Sequence, residues 1–487
     1  MNRSKKIYIL LGVLLVVCVA TFGVSRYEEY KEKIENSDEV ILELASDDVT
    51  SLNWEYESEE TGKTESLAFH KDDQWLYDDD EAFPVSEEKI DDLLEPFASF
   101  GVSFVIENVE DFGQYGLDDP LCTIRIGTDE KTYEIQVGDY STMDEERYVS
   151  IGDGNVYLVS NDPMDLYAIE LKDMIKDDEI PDFDKVSEIQ FAGSEDYKVV
   201  YKEENDSTYS ADDVYFTEKD GKELPLDTDT VESYLNTIST LNSLEYVSYN
   251  ATDEDIASYG LDDPELTVTV AYTQQDEEGK EETDGTFVLH VSRDPEEKEK
   301  AAKEEEADTR KDEKETSDEN AEENESKAYL RVGDSKIIYE INGTQFAALM
   351  AASYNDLRHQ EVIWADFADI TQVDISLDGK DYTFTSEEKK DEQIWYYNEE
   401  ELEINDFKNA LTALAATDFI DEQPDGKQEI SLILHLDNEN VSEVSIELYR
   451  YDGDNCLAVI DGEPVSLVSR SGVIDLVEAV NAIVLKK

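Results

Sequence analysis

The chain has 487 residues, more than one hydrophobic core ordinarily holds, so two to four domains are expected. Apolar residues make up 39% and aromatics 10%, enough to bury real cores and to exclude global disorder. With 123 acids against 40 bases the formal net charge is −83; such a surface repels phosphate backbones and anionic headgroups, so no nucleic-acid partner is expected.

Solvation accounts for the acidity most simply, with loose cation binding or docking to a basic protein partner as the alternatives. Three cysteines, Cys18, Cys122 and Cys456, are too few for a disulfide scaffold, although one bridge between the last two stays open.

Asn2-Arg3-Ser4-Lys5-Lys6 precedes an uncharged stretch from Ile7 to Ser25, rich in Leu, Val and Ile. At about 1.5 Å per residue it reaches the ~30 Å of a bilayer core. The basic flank before it and the acids after Arg26 place Met1 in the cytoplasm and the body outside, as a single-pass cell-membrane protein. A cleaved signal peptide competes, but Ala20-Thr21-Phe22 is a poor cleavage site, and Val17 before Cys18 is wrong for a lipoprotein. The expected layout is a cytoplasmic tip and transmembrane anchor over 1–26, then a charged tether over 27–39 that could continue as a helix.

Beyond it the chain repeats itself. A first unit (40–182) opens with strands at Val49 to Tyr56 and Glu65 to Phe69, then Trp75-Leu-Tyr77. Pro84-Val85-Ser86 introduces a helix with Ile90, Leu93, Leu94 and Phe97 on one face and Ser86 as its cap. Tyr115-Gly116-Leu117-Asp118-Asp119-Pro120 leads into alternating strands and a Gly-Asp hairpin between Arg147 and Val159.

A second unit (183–365) repeats this order: strands at Glu188 to Phe191 and Lys198 to Tyr201, then Val214-Tyr-Phe216. A helix capped by Asp227 carries Val231, Tyr234, Leu235 and Ile238. The identical hexapeptide follows as Tyr259-Gly260-Leu261-Asp262-Asp263-Pro264, with a hairpin from Ala328 to Glu340. Residues 293–327 interrupt this unit with Glu, Lys, Asp, Ala, Ser and Asn, a composition that leaves room for some fluctuating helix but is best read as a disordered, solvated loop at the tip of the unit.

A third unit (366–487) lacks the hexapeptide but keeps the strands, Trp395-Tyr-Tyr397, a helical face at Phe407, Leu411 and Leu414 with Asn405 as cap, a hairpin over Leu457 to Val468 and a closing helix. The expected fold is therefore α+β, an N-terminal transmembrane helix followed by three repeated strand-helix-strand units with antiparallel sheets. In the hexapeptide, Gly116 and Gly260 permit a positive-φ turn, Leu117 and Leu261 plug the core, and Pro120 and Pro264 start the next strand.

At the two hexapeptides the sequence resembles a family known only as a domain of unknown function, number 4340, over Val40 to about Trp364. The resemblance implies a membrane-anchored accessory protein, some relatives standing beside an ABC-type exporter with a gliding-motility-like auxiliary subunit. It brings no catalytic residues. The sequence itself offers no active site: paired acids are everywhere, His70, His290, His359 and His435 are scattered, and no phosphate loop, nucleophile elbow or calcium loop occurs. Gly152 to Asn155 and Asp452 to Asn455 could offer oxygens to calcium, but turn chemistry explains them. The expectation is a non-enzymatic, extracytoplasmic accessory or scaffold protein with no cofactor, auxiliary to a membrane transporter complex. The alternative is an adhesion or cation-responsive surface module.

Overall fold

The computed structural model describes residues 33–36, 39–58, 62–242, 244–275, 282–308, 327–390 and 392–485. The span expected over 7–25 lies outside them, and among the described residues no helix is long and apolar enough to cross a membrane. The chain divides into two compact units, 1–178 and 179–487.

Residues 1–178 form one nine-stranded sheet and a two-stranded one. The strands are β1 (Lys33–Asn36), β2 (Val40–Leu42), β3 (Val49–Glu57), β4 (Thr64–Lys71), β5 (Trp75–Tyr77), β6 (Phe100–Gly101), β7 (Phe104–Glu107), β8 (Cys122–Thr128), β9 (Thr132–Ser141), β10 (Glu146–Ser150) and β11 (Val156–Val159). β2 pairs with β6, and the large sheet runs β1-β7-β11-β10-β9-β8-β3-β4-β5. Alternation in β3 turns Leu52, Trp54 and Tyr56 inward, and Val49, buried like them, precedes a register shift in the pairing with β8. Helix α1 (Glu87–Leu94) lays Ile90, Leu93 and Leu94 on the core, and Ser86 Oγ accepts from the Lys89 N–H at 3.3 Å. Tyr167, in α2 (Met164–Tyr167), packs edge-on against Trp54 at 5.4 Å and donates its hydroxyl to the Leu93 carbonyl at 2.6 Å.

Residues 179–487 hold two more nine-stranded sheets. The first comprises β12 (Lys185–Ala192), β13 (Tyr197–Tyr201), β14 (Tyr215–Lys219), β15 (Lys222–Pro225), β16 (Glu245–Ser248), β17 (Leu266–Gln275), β18 (Glu282–Arg293), β19 (Lys327–Val332) and β20 (Ile338–Asn342). Its order is β15-β14-β13-β12-β17-β18-β19-β20-β16. The second comprises β21 (Ile370–Leu377), β22 (Lys380–Lys389), β23 (Glu392–Tyr397), β24 (Glu400–Leu402), β25 (Ala416–Phe419), β26 (Gln428–Leu436), β27 (Glu443–Arg450), β28 (Asn455–Ile460) and β29 (Glu463–Ser469). It runs β24-β23-β22-β21-β26-β27-β28-β29-β25, the same order. The first sheet of the chain follows that order too, with β5 standing at one edge and β1 added beyond β7 at the other.

The remaining helices are α3 (Thr228–Ser239), α4 (Asp253–Ser258), α5 (Pro295–Asp308), α6 (Gly343–Met350), α7 (Tyr354–Leu357), α8 (Asn405–Thr412) and α9 (Arg470–Val484). Val231, Tyr234, Leu235 and Ile238 of α3 are buried, and Tyr234 reaches the Leu349 carbonyl at 2.9 Å. Phe407 of α8 meets Phe384 edge-on at 5.8 Å. Trp75, Phe216 and Trp395 are core residues. The class is α+β, rich in antiparallel strands.

Three expectations need correction, and one open question is answered. Lys33–Asn36, expected as part of a charged tether that could continue as a helix, is a strand that pairs antiparallel with Glu107 to Phe104; a short polar edge strand carries no alternation to announce it. Pro295–Asp308, expected chiefly as loop with room for some fluctuating helix, is a helix, braced by Lys300–Glu297 and Lys303–Glu299 pairs at 2.6 and 2.7 Å. Residues 309–326 of that insertion lie outside the described residues. Asn405 is inside α8 rather than its cap, and the capping position, Ile404, has no side-chain oxygen to offer. The pairing of Cys122 and Cys456, which the sequence left open, is not formed: each is a buried free thiol.

Candidate functional site

The two hexapeptides occupy matching places, each just before the strand that joins the halves of its sheet. Gly116 and Gly260 sit at φ 71° and 73°, the left-handed region, where a Cβ is strained. A Cβ on Gly116 would stand 2.7 Å from the Asp139 carboxyl carbon and 2.8 Å from the Asp139 backbone nitrogen. Leu117 and Leu261 are 4% and 3% exposed. Tyr115 packs on Tyr148 at 4.9 Å and Tyr259 on Tyr329 at 4.6 Å. Asp118, Asp119 and Pro120, and likewise Asp262, Asp263 and Pro264, form the lead into β8 and β17.

The hairpin acids serve their own turns. Asp153 accepts from the Asn155 N–H at 3.0 Å and from the Tyr157 hydroxyl, and Asp452 from the Asp454 and Asn455 N–H groups at 2.7 and 2.6 Å. Those donors hold the Asp452 carboxyl below its ordinary value.

Three of the histidines stay apart: His70 bonds Asp78 at 2.6 Å, His290 bonds Thr267 at 3.0 Å, and His435 bonds Asp374 at 2.8 Å. The fourth belongs to a constellation that the sequence did not announce. His359 follows α7 in the segment leading to the third sheet, and its Nε2 stands 2.8 Å from Oδ1 of Asp213, whose side chain is 2% exposed. Oδ2 of Asp213 accepts from the Trp364 indole N–H at 3.1 Å and from the Thr208 hydroxyl. The His359 ring stacks on Trp364 at 4.2 Å between centroids and 8° between planes. Asn438 and Asn440 brace the Thr208 segment by donating to the carbonyls of Tyr209 and Asn205, both at 2.9 Å.

The other face of the imidazole looks outward. Nδ1 of His359 is 3.9 Å from Oδ2 of Asp227, the residue whose Oδ1 caps α3 through the Thr230 N–H at 3.1 Å. Glu361 completes the group: one ligand atom each from Asp227, His359 and Glu361 lie within 4.8 Å of one another. Among the described residues, no other set of three or more His, Cys, Asp or Glu side chains converges in this way. The group lines a cleft of about 700 Å³ whose walls add Asp212, Asp229 and Ile363. Two hydroxyls on that cleft are engaged with backbone: Thr228 donates to the Asp212 carbonyl at 2.8 Å, and Ser210 accepts from the Asp212 N–H at 3.3 Å. No periodic pattern could reveal this arrangement, since its members sit in loops and the two partners of its central bond are far apart in sequence. The capping role of Asp227 was its one visible element.

A family model described as "Domain of unknown function (DUF4340)" matches the chain twice, over residues 75–264 and 219–432. The match starts and the hexapeptide starts, Tyr115 and Tyr259, share one offset, so the model finds the same internal repeat. The second match runs past Trp364 into β26, further than the hexapeptides alone suggested. No curated protein and no solved structure matches the chain.

Proposed function

The chain belongs to the DUF4340 family, and from that membership and its repeated architecture we propose a non-catalytic accessory or scaffold protein. It is anchored in the cell membrane by residues 7–25, carries its body outside the cytoplasm, and assists a multi-component membrane exporter. The observation that carries this reading is the recurrence of one strand order in three successive sheets. Three nine-stranded sheets present extended repeated surface, which suits docking to other proteins. The uncharged stretch after a basic flank supports the anchor and its orientation. The net charge of −83 favours basic partner surfaces.

Purification of the full chain from native membranes in mild detergent, with mass-spectrometric identification of what accompanies it, tests the role. An ATPase and a multi-span permease in the complex are the expected result; a chain that leaves the membrane in carbonate, or elutes alone, overturns it.

A further inference from the structure

Asp213 fixes which nitrogen of His359 is free. Its carboxylate can only accept, so Nε2 carries the hydrogen of the 2.8 Å bond, and in the neutral ring Nδ1 is left as a lone pair. Nδ1 stands 3.9 Å from Oδ2 of Asp227, and one ligand atom each from Asp227, His359 and Glu361 lie within 4.8 Å of one another. At 3.9 Å, Nδ1 and Oδ2 of Asp227 are beyond hydrogen-bond reach of each other. Ligands of a common tetrahedral ion, bound at about 2.0–2.2 Å, stand about 3.3–3.6 Å apart, a small side-chain movement from the separation seen.

We propose that Asp227, His359 and Glu361 form a binding site for one divalent cation of the zinc class, with Asp213 as the residue that positions the imidazole. An imidazole nitrogen with two carboxylates suits a borderline ion such as Zn²⁺ better than Ca²⁺ or Mg²⁺, which prefer oxygen throughout. A carboxylate behind a ligating histidine, holding its other N–H, is the usual support for such a ligand. Here that support is itself buried and bonded by Thr208 and Trp364, and the ring is stacked on Trp364, so the ligand is oriented before any ion arrives. Asp227 is fixed by its cap bond and by its backbone N–H to the Leu357 carbonyl at 3.0 Å. Glu361 is fixed by neighbours whose backbones pair with the start of β25: Val362 donates to Leu414 at 2.9 Å, and Ala416 donates to Gln360 at 2.7 Å. Asp212 and Asp229 at the mouth of the cleft concentrate cations there. The ligands come from the N-terminus of α3, which covers the second sheet, and from the segment leading to the third, so the ion would clamp those two sheets together.

Zinc titration of the full-length chain in detergent, with Ca²⁺ and Mg²⁺ in large excess to occupy the diffuse acidic surface, tests the site. The expected result is one Zn²⁺ per chain, with Co²⁺ giving the absorption of a tetrahedral nitrogen–oxygen site. Glu361→Gln changes an exposed side chain, and Asp227→Asn retains a capping oxygen, so both variants should fold as the parent does. Each should weaken zinc at least about 10-fold, and His359→Ala should abolish the stoichiometric site. Absence of saturable zinc binding above the diffuse background overturns the proposal, as does a one-to-one site that Ca²⁺ displaces or that survives Asp227→Asn and Glu361→Gln together.

Discussion

Oδ1 of Asp213 accepts from Nε2 of His359 at 2.8 Å across 146 residues of chain, and this bond ties the loop between β13 and β14 to the segment that enters the third sheet. The carboxylate is almost fully buried and takes three donors, from His359, Trp364 and Thr208. Asp213→Ala would leave all three without an acceptor and is expected to cost about 3 kcal/mol or more. Trp364→Phe keeps the stacked ring and loses a single N–H bond, so its expected cost is about 1 kcal/mol. Urea denaturation of the two variants beside the parent measures the difference, and equal costs would show that packing rather than the carboxylate holds this junction.

The two hexapeptide glycines should not respond alike to the same change. Gly116→Ala forces its Cβ to 2.8 Å from a backbone nitrogen, whereas Gly260→Ala first meets the Ser292 hydroxyl at 3.1 Å. Both also carry the strain of a left-handed backbone, on the order of 1–3 kcal/mol. Gly116→Ala is therefore expected to be the more damaging of the pair in thermal melts.

Leu117→Ala and Leu261→Ala should each cost about 2–5 kcal/mol, the loss usual for a buried leucine. Asp118→Asn and Asp262→Asn should cost about 0.5–2 kcal/mol at most. Aspartate variants that melt normally but lose a partner in a pull-down would turn the motif from a folding element into a docking site.

Glu265 supplies a pH signature. Burial pushes its carboxyl up, but the Arg293 guanidinium, at 2.7 Å, and the Arg293 backbone N–H, at 2.8 Å, outweigh burial and leave it below its ordinary value of 4.5. A carboxyl lowered by folding adds stability that is present above its unfolded value and lost as pH falls through its folded value. Glu265→Gln should thus cost about 1–3 kcal/mol near neutrality and progressively less below pH 4.5. Denaturation at a series of pH values reads the gap between variant and parent, which should narrow on acidification; a gap that is constant with pH would assign the effect to shape alone.

Cys122 and Cys456 should be inert in the native protein. Burial, with a smaller push from Glu55, raises the Cys122 thiol to about 12, and burial with Glu429 raises Cys456. At pH 8 the thiolate fraction of Cys122 is on the order of 10⁻⁴, so alkylation should wait for denaturant at both positions. Mass spectrometry after iodoacetamide treatment, with and without urea, checks this; rapid native labelling at either cysteine would contradict the burial.

Much of this architecture is legible in residue order because the determinants are local. Ser86 and Asp227 cap their helices, the helical faces of α1 and α3 are buried, and both hexapeptide glycines take the left-handed turn. The third sheet was visible without the hexapeptide because its strands and hairpin carry their own alternation. What escaped is non-local or marginal. The Asp213–His359–Trp364 cluster arises only when loops from two sheets meet, which no period encodes. The strand at Lys33–Asn36 is too short and polar to stand out, and Pro295–Asp308 has the composition of a solvated loop.

The shared sheet order also governs how the molecule can be assembled as it is made. In the second and third sheets the strand after the main helix stands at one edge and has no neighbour until the last strand arrives: β16 needs β20, and β25 needs β29. In the second sheet that partner follows about 90 residues later, because the insertion between β18 and β19 lies in the gap. During that interval β16 is an unsatisfied edge, open to pairing with the wrong strand. The third sheet closes after a far shorter delay, so the second is the step at which a nascent chain is most exposed to misassembly.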